Sequence, residues 1–239
     1  MIGALLAAAS VALVAGCGDS DSATHKAAVV APVFKHGEGL DVCRCSPFTA
    51  SIVLSEDDAL LIIAEELRLH GVALSKRSVE MPSVIVSRRE RRPGYEWTSG
   101  RASGHFVRFD APLEFDGVDA ERRVAVEFVS CGDYDGLAGP WFNEDPYVWT
   151  GPGELQRAAG YVADCVRGQP ETVYFGVFYD PLECPLDYDE FSRRHGTAGP
   201  GRPEPSWDEV EQEARERSVE LLRQQVRDFV EWLQGQGVI

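Results

Sequence analysis

The sequence predicts a mixed α+β or α/β domain, with a mixed sheet of about four strands flanked by three helices in the order helix, strands, helix, strand, helix. Three observations lead there. Apolar residues recur at helical spacing in three separated stretches, and period-two alternation fills the block between the first and second of these. A dense run of Val and aromatic residues then separates the second from the third.

The first helix opens at Ser55, whose hydroxyl can cap the leading amides, while Glu56, Asp57 and Asp58 suit the positive end of the helix dipole. Gly71 supplies the stop. Leu60, Ile63, Ala64 and Leu67 fall on one face, and Glu65, Glu66 and Arg68 turn elsewhere, which predicts an amphipathic helix of about four turns. Strands are expected over 83–88 (Val84, Ile85, Val86), 105–115 (Phe106, Val107, Phe109, Leu113, Phe115) and 123–130 (Val124, Val126, Phe128, Val129). The turn-rich Asp116-Gly117-Val118-Asp119 joins the last two and predicts an antiparallel hairpin. A second helix is expected over 154–167 through Leu155, Ala158, Ala159, Val162 and Val166, followed by a buried strand over 172–179. The last helix starts at Ser206 and runs to about Gln234, with Val210, Ala214, Leu221, Leu222, Val226, Phe229, Val230 and Leu233 as its apolar stripe.

The chain has 239 residues, 44% hydrophobic and 26% charged, with a formal net charge of −16. That composition supports one sizeable core. Beyond the N-terminus no stretch approaches the roughly 18 apolar residues that span a bilayer. An acidic field repels phosphate backbones, so nucleic acid is disfavoured as a partner. The basic run Arg88-Arg89-Glu90-Arg91-Arg92 stands against this background. It can meet headgroups or another anionic partner, or remain a solvated strand end that pairs with the protein's own carboxylates.

Residues 1–16 are apolar and uncharged, and they end in Leu13-Val14-Ala15-Gly16-Cys17. Small residues closing an apolar segment just before a Cys resemble the lipobox of bacterial lipoproteins. The resemblance implies that residues 1–16 are a removable signal, that the Cys17 thiol carries a diacylglycerol and its freed amine a further acyl chain such as palmitate, and that the protein lies in the cell envelope. Its membrane contact would be that lipid. Gly18 follows the Cys rather than the Asp that favours inner-membrane retention, which implies the outer membrane where the organism has one, on the periplasmic or the surface side. No positively charged residue precedes the apolar run, so the natural start is expected upstream.

Residues 17–45 read as a lipidated Cys and a flexible polar tether, with 46–239 a single globular domain. His25 and His36 in the tether are ordinary linker residues or, less simply, a metal-binding arm. Five further Cys remain, at 43, 45, 131, 165 and 184. Export to an oxidising compartment makes Cys43, Cys45, Cys131, Cys165 and Cys184 disulfide candidates, and their odd number leaves one unpaired within the monomer. A bond between Cys43 and Cys45 would be strained, and their spacing is too tight for a typical zinc pair.

The hairpin carrying Asp116, Asp119 and Glu127 resembles the metal-binding hairpin of the PD-(D/E)xK nuclease-like fold, whose core also runs helix, three strands, helix, strand. The resemblance implies Asp116 or Asp119 as first Mg²⁺ ligand and Glu127 as second, with Glu65 or Glu66 of the first helix as accessory, and a metal-activated water directed at a phosphodiester. The Lys that the family places two residues after the Glu is here Val129. Asp133-Tyr134-Asp135-Gly136 resembles the start of a calcium loop but lacks its bidentate Glu, so an Asx-rich turn is expected. Trp141, Phe142, Tyr147 and Trp149 form either an aromatic ligand platform or rings that pin a long loop. His70 and His105 are isolated, and no phosphate-cradling Gly loop, paired-His helix or nucleophile elbow occurs. The residues therefore suggest no cofactor and a non-catalytic binding or structural role in the envelope, with an envelope protein or a small ligand as partner. The alternative is a metal-dependent hydrolase using Asp116 and Glu127.

Overall fold

The computed structural model describes residues 27–37, 39, 54–75, 77–91, 106–137, 153–170, 173–181 and 206–239. Their elements are β1 (Val29–Val30), α1 (Glu56–Leu69), β2 (Val79–Arg91), β3 (Phe106–Phe115), β4 (Gly117–Asp119), β5 (Val124–Val129), α2 (Cys131–Gly136), α3 (Glu154–Val166), β6 (Tyr174–Tyr179) and α4 (Trp207–Gly235). The architecture is mixed α and β, with a four-stranded mixed sheet ordered β1-β6-β5-β4 and a two-stranded sheet, β2-β3. In the larger sheet β1, β6 and β5 are parallel and β4 is antiparallel. The β5-α3-β6 unit is the crossover that a parallel pair requires.

Ser55 caps α1 through Asp58 N–H, and Gly71 takes φ +82° just beyond the helix, a left-handed conformation that glycine adopts without a Cβ penalty. Ser206 and Glu209 form a reciprocal capping box that fixes the start of α4. The helix over 131–136 was not expected. Ser130 caps it, accepting from Asp133 N–H while Asp133 accepts from Ser130 N–H, so the Asp-rich segment folds as a short helix instead of a turn.

Two apolar clusters lie on opposite faces of the sheet. Val124, Val126 and Phe128 of β5 pack with α1 and α4 through Leu60, Ile63, Leu67, Leu222, Val226 and Phe229. The alternate residues Ala125 and Val129 pack with α3 and with Val84, Val86, Leu113 and Phe115 from one face of the β2-β3 hairpin. Glu66 departs from the expected outward position. It is buried, and its carboxylate accepts from Arg227 of α4 at 2.9 Å, so it ties α1 to α4.

Two expectations shift in detail. Asp116-Gly117-Val118-Asp119 is not the hairpin turn: Asp116 is a bend, Gly117–Asp119 form β4, and the turn to β5 lies at 120–123, where Arg123 takes φ +54°. The bend lets one continuous stretch leave β2 and join β5. The segment expected as tether to residue 45 also contributes structure. Val29 and Val30 pair with Tyr174 and Phe175, Ala28 and Ala31 are buried, and His36 bonds Asp228 of α4 at 2.8 Å. Small apolar residues along the β6 edge give residues 27–37 a place on the body, so this part of the expected tether belongs to the fold.

Candidate functional site

Period-two alternation decides what Glu127 faces. Its neighbours at 125 and 129 belong to the α3 and hairpin side of the sheet, and Glu127 points the same way, 5% exposed. One of its carboxylate oxygens, Oε2, is buried without a hydrogen-bond partner among the described residues. Asp116, at the bend between β3 and β4, accepts from Phe128 N–H at 2.6 Å, and its own backbone N–H donates to Glu127. The two carboxyls that the hairpin resemblance singles out are therefore neighbours at the C-terminal end of β5, where open parallel sheets commonly place a site.

Two helix starts add charge. Ser130 follows β5 directly, and its hydroxyl lies 3.0 Å from Glu56 Oε1 on α1 and 2.9 Å from Asp133 Oδ2 on α2. Glu56 and Asp133 thus stand beside the pair, and both repel charge on Asp116. Desolvation is the largest cause of a raised Asp116 pKa, pushed up to about 7, with the Phe128 N–H pulling the other way. Burial likewise holds the Glu127 carboxyl well above the usual carboxylate range, with repulsion from Asp116 and Asp133 next. The opposing charge comes from Arg88 on β2, half-buried opposite Phe109. The arrangement is a neutral-leaning acid pair at a sheet end, with three further carboxylates, Glu56, Asp133 and Glu114, acting on Asp116 and one guanidinium acting on Glu127.

The other sequence candidates separate from this centre. Asp119, 3% exposed, accepts from Ala73 N–H at 2.8 Å and from Glu121 and Arg122 N–H at 3.0 Å each, so it holds the 120–123 turn. Asp119→Ala is expected to cost about 2 kcal/mol of folding free energy, read by urea denaturation, because three amides lose their acceptor. Glu65 is exposed on α1 and Glu66 is committed to Arg227, so the helix residue near the pair is Glu56. His70 is the exposed C-cap of α1. Cys131 begins α2, and Cys165 is half-buried on α3 beside Tyr161 with no disulfide to a described residue; burial raises its thiol pKa. Cys17, Cys43, Cys45, Cys184, His25, His105, Trp141, Phe142, Tyr147 and Trp149 lie outside the described residues.

Sequence reasoning missed Glu56, Asp133 and Arg88 as members of the site. Glu56 and Asp133 read locally as helix-start acids, and only tertiary packing brings the two starts together. Arg88 was legible in principle, because strand alternation in 84–91 places it on the face of Val84 and Val86.

The carboxylate oxygens suit a hard divalent cation by donor type. However, the Lys position is Val129, 1% exposed within the apolar cluster, and no group of three His, Cys, Asp or Glu among the described residues is arranged to hold a metal ion. The residues present do not make up the nuclease-like catalytic set. Comparison of the chain with family models, with curated proteins and with solved structures gave no match.

Proposed function

We propose that the chain is an exported, lipid-anchored protein of the bacterial cell envelope whose folded domain binds a partner or small ligand without catalysing a reaction. The observation that carries this reading is Leu13-Val14-Ala15-Gly16-Cys17 closing an uncharged apolar run. The body adds support of a different kind, since Val129 occupies the position where hydrolysis in the resembling fold would need a Lys. Net charge of −16 also turns the domain away from nucleic acid. The test is metabolic labelling with a palmitate analogue in a bacterial host. Label is expected on the parent chain and none on Cys17→Ser; an unlabelled parent with residues 1–16 still attached in the cytosol overturns the proposal.

A second reading, a metal-dependent hydrolase, is favoured by one observation: Asp116 and Glu127 converge, and a Glu127 oxygen is buried without a partner. Titration with Mg²⁺ or Mn²⁺, followed calorimetrically, separates the two. Heat at millimolar metal that disappears in Glu127→Gln, together with phosphodiester cleavage, selects the hydrolase. No binding by the parent chain eliminates it.

A further inference from the structure

Alternation along β2 puts Arg88 on the face of Val84 and Val86, turned toward the body. Its side chain is half-buried and makes no ion pair or hydrogen bond with a described residue. Glu90, two positions on along the same face, is exposed and leaves it unpaired. Directly across from Arg88 stands Phe109, 42% exposed. A bridge between Arg88 and Leu137 holds β2 against the end of α2, one turn beyond Asp133. Arg88 therefore lies near enough to Glu127 to favour its charge, yet makes no ion pair with it. A half-buried guanidinium and a buried carboxyl oxygen are groups that folding seldom leaves alone, and here both lack a partner among the described residues. The neighbouring acids are short of donors too, because the single Ser130 hydroxyl proton serves Glu56 or Asp133 but not both at once.

We propose that Arg88 and the acid pair bind a free apolar α-amino acid, its carboxylate on Arg88 and its ammonium on the Glu127 and Asp116 carboxyls. The inference rests on the reading of the domain as a ligand-binding module. A guanidinium fork matches a carboxylate, while an ammonium offers three donors and no acceptor and so complements acids that lack donors. An α-amino acid carries both groups on one carbon, which suits a cation and an acid that face each other beyond contact. A metal ion would answer only the acids and would repel Arg88, and among the described residues no three acids gather for one. Phe109 supplies an apolar surface beside Arg88 for the ligand's side chain.

The test is calorimetric titration of the full chain bearing Cys17→Ser with L-leucine, L-phenylalanine, leucinamide and N-acetyl-leucine. Leucine or phenylalanine is expected to bind. Leucinamide, which lacks the carboxylate, and N-acetyl-leucine, which lacks the ammonium, are each expected to bind about tenfold or more weakly. Arg88→Gln is expected to weaken the amino acid and leave leucinamide unchanged, whereas Glu127→Gln weakens the amino acid and leaves N-acetyl-leucine unchanged. A purely structural role would weaken every probe alike. Neither substitution removes an ion pair, so both variants are expected to melt no lower than the parent, which separates lost binding from lost folding. No heat from either amino acid, an analogue that binds as tightly as leucine, or variants that shift all probes equally overturns the proposal. Failure of the anchor reads out separately, as an unmodified Cys17, and failure of the binding reading as metal-dependent cleavage of a phosphodiester.

Discussion

Glu127→Gln is expected to raise the unfolding free energy at pH 8 and to change it little at pH 4. Burial and the Asp116 and Asp133 carboxylates lift the Glu127 pKa in the folded chain, while Oε2 finds no donor. A carboxyl whose folded pKa exceeds its unfolded one holds its proton longer in the folded state. Stability is then full below the unfolded pKa, near 4, and falls as pH rises through the folded value. Asp116, pushed up to about 7, adds to the loss over the same window. The amide keeps the shape and removes the ionisation. Urea denaturation of parent and variant across pH 4 to 8 checks this: the curves should diverge with rising pH, and parallel curves would mean that the buried carboxyl finds a donor in solution.

Phe229→Ala is expected to cost about 4 kcal/mol, as truncation of a fully buried aromatic leaves a cavity. Phe229 is 0% exposed and meets Phe178 edge-on at 5.6 Å and Trp232 stacked at 5.6 Å between ring centroids. It lies against the backbone of Gly176, where a Cβ would come within 2.8 Å of its ring. Gly176→Ala alone is therefore destabilising by overpacking, but costs less in the Phe229→Ala background. Urea midpoints of the two single variants and the double complete the cycle. A loss under about 1 kcal/mol for Phe229→Ala would refute the central placement of this ring.

The helix starts at Ser55 and Ser206 were legible because a cap is a local event: a hydroxyl, an amide three residues on and acids in the first turn. Apolar periodicity likewise placed α3, β5 and β6 within a residue or two. The Asp116 bend was not legible. Turn chemistry there describes a change of direction, and only the competition between β2 and β5 for one strand reveals that the stretch changes partner instead of folding back. Of the site, the sequence held the pair Asp116 and Glu127 through a resemblance to a known hairpin. Glu66 misled because its burial depends on Arg227, distant in sequence. Residues 27–37 misled because the polar residues on either side caused the apolar run Ala27 to Phe34 to be read as part of one tether, and nothing local shows that two of its valines fit the edge of β6.

The four-stranded sheet ends on one side in a strand of two residues and on the other in a strand of three, while β5 and β6 inside it each have six. A short edge offers few free amides and carbonyls to a neighbouring molecule, and Pro32, just past β1, removes one more donor. β1 covers the first two residues, Tyr174 and Phe175, of the β6 segment Tyr-Phe-Gly-Val-Phe-Tyr, which is apolar and rich in β-formers. Two valines therefore act as a guard against self-association: a proteolytic cut beyond Val30 would bare the edge at Tyr174 and Phe175, within a segment whose composition suits cross-β stacking.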